Sequence, residues 1–220
     1  MKLLIASAGL AEIRAACEAA LVDGVYTTPA MLHASDAAAD PYTQLDEICR
    51  LANRPVYAMV SAATTNDIVR DARDLAKLSD FIVVRIPFVE DAVPAIRRLS
   101  AEGIRVAATL VFSPAQALLA AKAGASAVSV QLDSLEAQGQ DGPAVVADIH
   151  ALFEGYQVPC DILAVPVSSP ARLLACAKAG ADLCTVTAAD LRAMLVHPLT
   201  DRGMDQFLSD LSRRRGGAAS

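Results

Sequence analysis

The 220-residue chain has no tryptophan, and aromatic residues make up only 4% of it. A core of bulky rings is therefore excluded. Hydrophobic residues reach 54%, so the interior has to be built from Ala, Val, Leu and Ile. Such side chains let helices pack closely on a parallel sheet. Basic charge is also scarce: 19 Lys and Arg stand against 25 Asp and Glu, a formal charge of −6. The one dense basic run, Arg213 to Arg215, lies in a short Gly-containing tail. It reads as a solvated helix end, because nucleic-acid binding needs a broad basic face. Neither nucleic acid nor membrane is an expected partner. One local cationic pocket for a small anion remains compatible with this charge.

The N-terminal run "MKLLIASAGL" is too short to span a bilayer and is broken by Gly9. It lacks the apolar core and cleavage site of a secretory signal and reads as a first strand. The five cysteines, at 17, 49, 160, 176 and 184, form no C-x-x-C pair. An odd, scattered set suggests reduced thiols and a cytoplasmic location. His33, His150 and His197 share no metal-ligand spacing, so no metal is expected. No P-loop, G-x-S-x-G elbow or dinucleotide fingerprint is present; "SAGLAE" after the first strand has one glycine. No cofactor is expected.

What is present is an internal echo. "SPAQALLAAKAGASAVSV" from Ser113 and "SPARLLACAKAGADLCTV" from Ser169 align over 18 residues without a gap, offset by 56. In each, Ser is an N-cap and Pro takes the first helical position. An Ala/Leu helix follows, Gly124 or Gly180 ends it, and a β-branched strand comes next. The rest of the chain keeps this alternation. Strands are predicted at 2–7, 24–28, 56–62, 81–86, 105–111, 127–132, 161–167 and 183–187. Helices are predicted at 10–21, 42–51, 66–78, 89–101, 114–123, 143–153, 170–179 and 189–196, with a last one at 201–213. Eight evenly spaced βα units predict an α/β fold, a (β/α)8 TIM barrel with an additional C-terminal helix. Residues 1–220 read as one domain, with 200–215 as helix and tail.

Function in such a barrel lies at the C-terminal strand ends. Arg85, inside the greasy run "FIVVRIPF", fixes which side chains point inward. Outward it would be trapped between sheet and helices; inward it reaches the polar mouth, together with Val83 and Pro87. By that parity the mouth contains Thr28, Met59, Ser61, Arg85, Thr109, Gln131, Asp133 and Ser168. Two readings of Arg85 stand at this level. It pairs with Asp133, or its planar fork clamps a carboxylate or phosphate of a small ligand.

Five stretches carry a resemblance: "GVYTTPAML" at 24–32, "FIVVRIPF" at 81–88, "AEGIRVAATLVFSPAQALLAAKAGA" at 101–125, "EAQGQDG" at 136–142 and "HPLTDRGMDQFLSDL" at 197–211. Together they make the chain resemble the short bacterial transaldolase and fructose-6-phosphate aldolase family over nearly its whole length. The resemblance implies a Schiff-base lysine at the position of Arg85. It also implies a carboxylate at Ala6, an asparagine at Thr28, a glutamine at Met59, a tyrosine at Gln131, an arginine at Ser134 and a serine at Pro166. Thr109 matches. A guanidinium forms no Schiff base, which needs a neutral amine. The chain has four lysines, Lys2, Lys77, Lys122 and Lys178, and each reads as lying away from the mouth. The resemblance thus implies a carbohydrate or small-carbonyl protein whose aldol mechanism is lost. Either it acts on a small anionic hydroxy or carbonyl compound, with Asp133, Glu90 or Asp91 as acid and base, or it is a non-catalytic binding or assembly subunit. The last helix places apolar Met204, Phe207, Leu208 and Leu211 on one stripe. Packing on its own barrel is one reading; the resemblance implies a homo-oligomer built through this helix.

Overall fold

The computed structural model describes residues 1–217, with side chains to residue 213. Eight parallel strands close into a barrel in chain order. They are β1 (Lys2–Ala6), β2 (Gly24–Tyr26), β3 (Val56–Met59), β4 (Ile82–Pro87), β5 (Val106–Val111), β6 (Ala127–Gln131), β7 (Asp161–Val165) and β8 (Leu183–Val186). The first outer helices are α1 (Leu10–Glu18), α2 (Pro29–Ser35), α3 (Pro41–Ala52), α4 (Thr65–Ala76), α5 (Ala92–Ala101) and α6 (Pro114–Ala123). The remaining five are α7 (Leu132–Ala137), α8 (Gly142–Gly155), α9 (Pro170–Lys178), α10 (Ala188–Leu195) and α11 (Pro198–Gly217).

Both echoed helices start as their sequence dictates. Ser113 and Ser169 accept from the backbone N–H of Gln116 and Arg172, each at 3.2 Å, with proline following. Gly124 and Gly180 hold φ of 107° and 89°, the left-handed values that end a helix cleanly.

Two short helices were not expected. α2 is capped by Thr28, whose Oγ1 accepts from Met31 N–H at 3.2 Å; its 7 residues carry too little periodicity to stand out. α7 begins directly on the last residue of β6. This takes Leu132 out of the predicted strand and ends the inward–outward alternation before Asp133.

The alternation produces two cores. One lies between sheet and helices and holds most of the buried Val, Ile, Leu and Ala. The other fills the barrel: Leu4, Tyr26, Tyr57, Val83, Ala107, Ala127, Leu163, Val165 and Leu183. Two of the chain's four tyrosines are in this inner layer, where rings facing small Ala107 and Ala127 fill a narrow tube.

Gly24 opens β2 where neighbouring strands leave no room. A Cβ there would lie 2.6 Å from the Pro55 carbonyl oxygen and 2.9 Å from Leu4 Cδ2. Gly24→Ala is expected to destabilise the barrel by roughly 2–3 kcal/mol, since backbone cannot yield cheaply. The urea midpoint at unchanged m-value measures it.

α11 does not lay its stripe on the barrel. Met204, Phe207 and Leu208 are 48%, 55% and 56% exposed, so packing on its own chain is not the outcome. The side chains of Arg214 and Arg215 lie outside the described residues. No described helix is long and apolar enough to cross a membrane.

Candidate functional site at the barrel mouth

Arg85 points into the barrel, as expected for a charge that would otherwise be trapped between sheet and helices, and is 3% exposed. On β4 it sits in register between Met59 of β3 and Ala107 of β5. The long side chain reaches past β3 to the end of β2. There Nη1 donates to the Thr27 carbonyl at 2.6 Å, and Nη2 donates to the Tyr26 phenol oxygen. The guanidinium carbon also lies 3.8 Å from the Tyr26 ring centroid, a cation–π contact. Nε is buried with no hydrogen-bond partner. Among the described residues, no carboxylate pairs with this guanidinium. Burial pushes its pKa down, opposed by Tyr26, but an arginine remains charged.

Arg85 therefore does not pair with Asp133. Asp133 stands on α7, 63% exposed, and its Oδ1 accepts from Arg172 Nη1 at 2.7 Å. The expectation failed because it carried the strand's alternation past the predicted end at residue 132 to Asp133.

Three of the expected residues do converge on the inner mouth: Arg85, Thr109 and Gln131. Thr109 is 1% exposed. Gln131 Nε2 lies 3.3 Å from Thr109 Oγ1 and 3.4 Å from Ser129 Oγ. These are long bonds, so the half-buried amide is held loosely and can donate to something else. Met59 lies on β3 in register beside Arg85, and Thr28, Ser61 and Ser168 sit at the rim. Thr28 caps α2. The Ser61 N–H donates to Asp71 Oδ2 at 2.6 Å, and Ser168 Oγ is 3.4 Å from Arg172 Nη1. Glu90 and Asp91 are exposed in the β4–α5 loop, where the Asp91 carbonyl accepts from Thr65 Oγ1 at 2.7 Å.

Sequence reasoning missed Tyr26 and Ser129. Both share the inward parity of residues two positions further on, Thr28 and Gln131, and that was the available signal. Burial pushes the Tyr26 phenol up, against the opposing effects of Arg85, Gln131 and Ser129. Just past Thr109 the strand carries a bulge: the register with β6 shifts, and Leu110 takes φ of 60° with 43% exposure. Bulges of this kind re-aim side chains beside sites. Beside the mouth, a cavity of about 230 Å³ between α2, α3 and α4 is lined by His33, Tyr42, Met59, Ser61 and Asp71 among others. There Tyr42 donates to Asp71 at 2.6 Å, and that bond pushes the phenol up to about 12.

No lysine reaches the mouth. Lys2 starts β1, Lys77 caps the C-terminus of α4, and Lys122 and Lys178 lie in the last turns of α6 and α9. All four belong to the opposite face of the barrel. The cysteines offer no nucleophile either. Burial pushes Cys49 up to about 11 and Cys160 and Cys184 up to about 12, which keeps the thiols protonated.

A closed eightfold βα barrel with a polar cluster at the C-terminal strand ends is the architecture of the (β/α)8 enzymes. Within that class, the chain belongs to the transaldolase/fructose-6-phosphate aldolase family, whose sequence profile matches residues 4–215. It is 38% identical over 210 residues to a probable transaldolase of Thermodesulfovibrio yellowstonii, covering 96% of this chain and 97% of that protein. It is 39% identical over 220 residues to a probable transaldolase of Prosthecochloris aestuarii, covering 96% and 98%. Among solved structures, the fold is similar to a designed cube-shaped, highly porous protein cage built by fusing symmetric oligomeric domains. The TM-score is 0.64 at 16% identity, covering 100% of this chain and 80% of that one. A structure described as native KDPGal matches with a TM-score of 0.61 at 17% identity, covering 84% and 82%.

Proposed function

We propose that this transaldolase-family barrel binds a small anionic hydroxy or carbonyl compound at its C-terminal mouth, against Arg85, and does so without a Schiff base. One observation carries the reading: a guanidinium 3% exposed, with an unpartnered Nε and only neutral acceptors around it. Buried charges are ordinarily paired with an opposite charge. A carboxylate at Arg85 would supply the missing counter-charge, and Gln131 and Thr109 would supply hydrogen bonds to the ligand's oxygens. Residues 1–220 act in this reading as one barrel unit of a soluble, cytoplasmic protein. Calorimetric titration with glycolate tests it. Saturable binding is expected, weakened about 10–100-fold in Arg85→Gln, the range for a lost charge-assisted contact. Equal binding by that variant would overturn the reading.

A second reading, a non-catalytic subunit of an assembly, is favoured by the exposed stripe Met204, Phe207, Leu208 and Leu211 on α11. The occupant in this reading is a second copy of the chain, in keeping with the family resemblance. Light scattering should then give a multiple of the 22.9 kDa chain mass, and Phe207→Glu with Leu211→Glu should reduce it to one chain. A monomeric parent protein contradicts this.

A further inference from the structure

A second arginine stands on the same face, at the rim between β6 and β7. Arg172 lies in the first turn of α9, with its side chain 14% exposed. Its fork is already filled. Nη1 donates to Asp133 Oδ1 at 2.7 Å, and Nη2 lies 2.6 Å from Glu136 Oε2. Asp133 and Glu136 sit three residues apart on α7 and therefore face Arg172 together. The cluster carries a formal charge of −1. Its two carboxylates are 63% and 46% exposed, so they keep most of their hydration while they cover the guanidinium.

The mouth thus holds two arginines of opposite status. Arg85, inside, has no carboxylate among the described residues; Arg172, at the rim, has two. We propose that Asp133 and Glu136 act as a built-in counter-ion that occupies the anion-binding fork of Arg172 and keeps a phosphoryl group off the β6–β7 rim. This deepens the reading of Arg85 as an anion site and rests on it for the ligand class: an unphosphorylated hydroxy or keto carboxylate. A phosphate ester carries a charge near −2 at neutral pH. To use the fork of Arg172 it would have to displace two carboxylates that remain alongside it. Like charges so placed suppress the wrong ligand. A monoanionic carboxylate meets half that repulsion and needs only Arg85.

Inorganic phosphate is the probe, because its binding at the rim does not depend on Arg85. Phosphorus NMR titration of the wild-type chain should show no saturable binding across the millimolar range. Asp133→Asn with Glu136→Gln should bind phosphate at least about tenfold more tightly, and Glu136→Gln alone should fall between. Adding Arg172→Gln to the double variant should abolish the gain. Saturable phosphate binding by the wild type, whichever arginine holds it, overturns the proposal. So does a gain that survives loss of Arg172, or no gain in either the single or the double variant. Failure of glycolate to bind the wild type is a separate result: it removes the reading of Arg85 while the phosphate titrations still decide whether the rim excludes phosphate.

Discussion

Arg85→Lys is expected to turn a chain that dihydroxyacetone and borohydride leave unmodified into one they label covalently at position 85. In the wild type, the inward strand position offers only a guanidinium, which stays charged and is no amine nucleophile. The four lysines lie on the opposite face. A lysine placed at position 85 would keep the slot between Met59 and Ala107. Burial there depresses an amine's pKa, and the neutral amine can then add to the ketone. The carbonyl oxygen leaves as water, the imine forms, and borohydride delivers hydride to give a stable secondary amine. Labelling should rise with pH through the depressed amine pKa, because only the unprotonated form adds. Intact-protein and peptide mass spectrometry read the outcome. A labelled wild type would sink the claim that Schiff-base chemistry is lost. An unlabelled Arg85→Lys would show that ketones do not reach this position.

The second large effect is on stability and isolates packing, because both variants compared remove the charge. Arg85→Ala should cost about 3 kcal/mol. It empties a volume inside the barrel and strands two groups that Arg85 now satisfies, the Thr27 carbonyl and the Tyr26 phenol. Arg85→Met strands the same groups but keeps most of the volume and removes a buried charge that has no counter-ion. Replacing buried charge with a well-packed apolar chain is often neutral or better. The methionine variant should therefore be the more stable of the two by about 2 kcal/mol. Urea denaturation at constant m-value decides. Equal stabilities would mean that the side chain does not fill the interior.

The polar cluster also bears on the residues that the family resemblance implies. The resemblance implies a phenol at residue 131 and a carboxylate at residue 6, and the chain has Gln131 and Ala6 there. Yet the mouth is not without a phenol. Tyr26 enters from β2, stacks on Arg85 and lies within reach of Gln131 and Ser129. The proposed anion site is therefore a repacked interior, with an aromatic ring and an amide around a fixed positive charge.

Much of this was legible in the sequence. The eight βα units, the serine caps, the glycine stops and the inward parity of Arg85 all rest on interactions within a few residues. Hydrophobic period, cap hydrogen bonds and left-handed glycines act locally, so a linear string carries them. The absence of a lysine at the mouth was legible for the same reason: once the strands are placed, every lysine's end of the barrel is known. The partners of Arg85 were not legible. Thr27 and Tyr26 are 58 and 59 residues away and are chosen by how β2, β3 and β4 align once the barrel closes. Nor was the fate of Asp133. Whether β6 ends at residue 131 or 132 depends on α7 packing against its neighbours, and that single residue moves a carboxylate from the barrel interior to the rim. There it meets Arg172, from a different βα unit, and leaves Arg85 without a counter-charge. Strand ends and cross-barrel register are set by long-range packing, and in this chain they decide which arginine has a carboxylate partner.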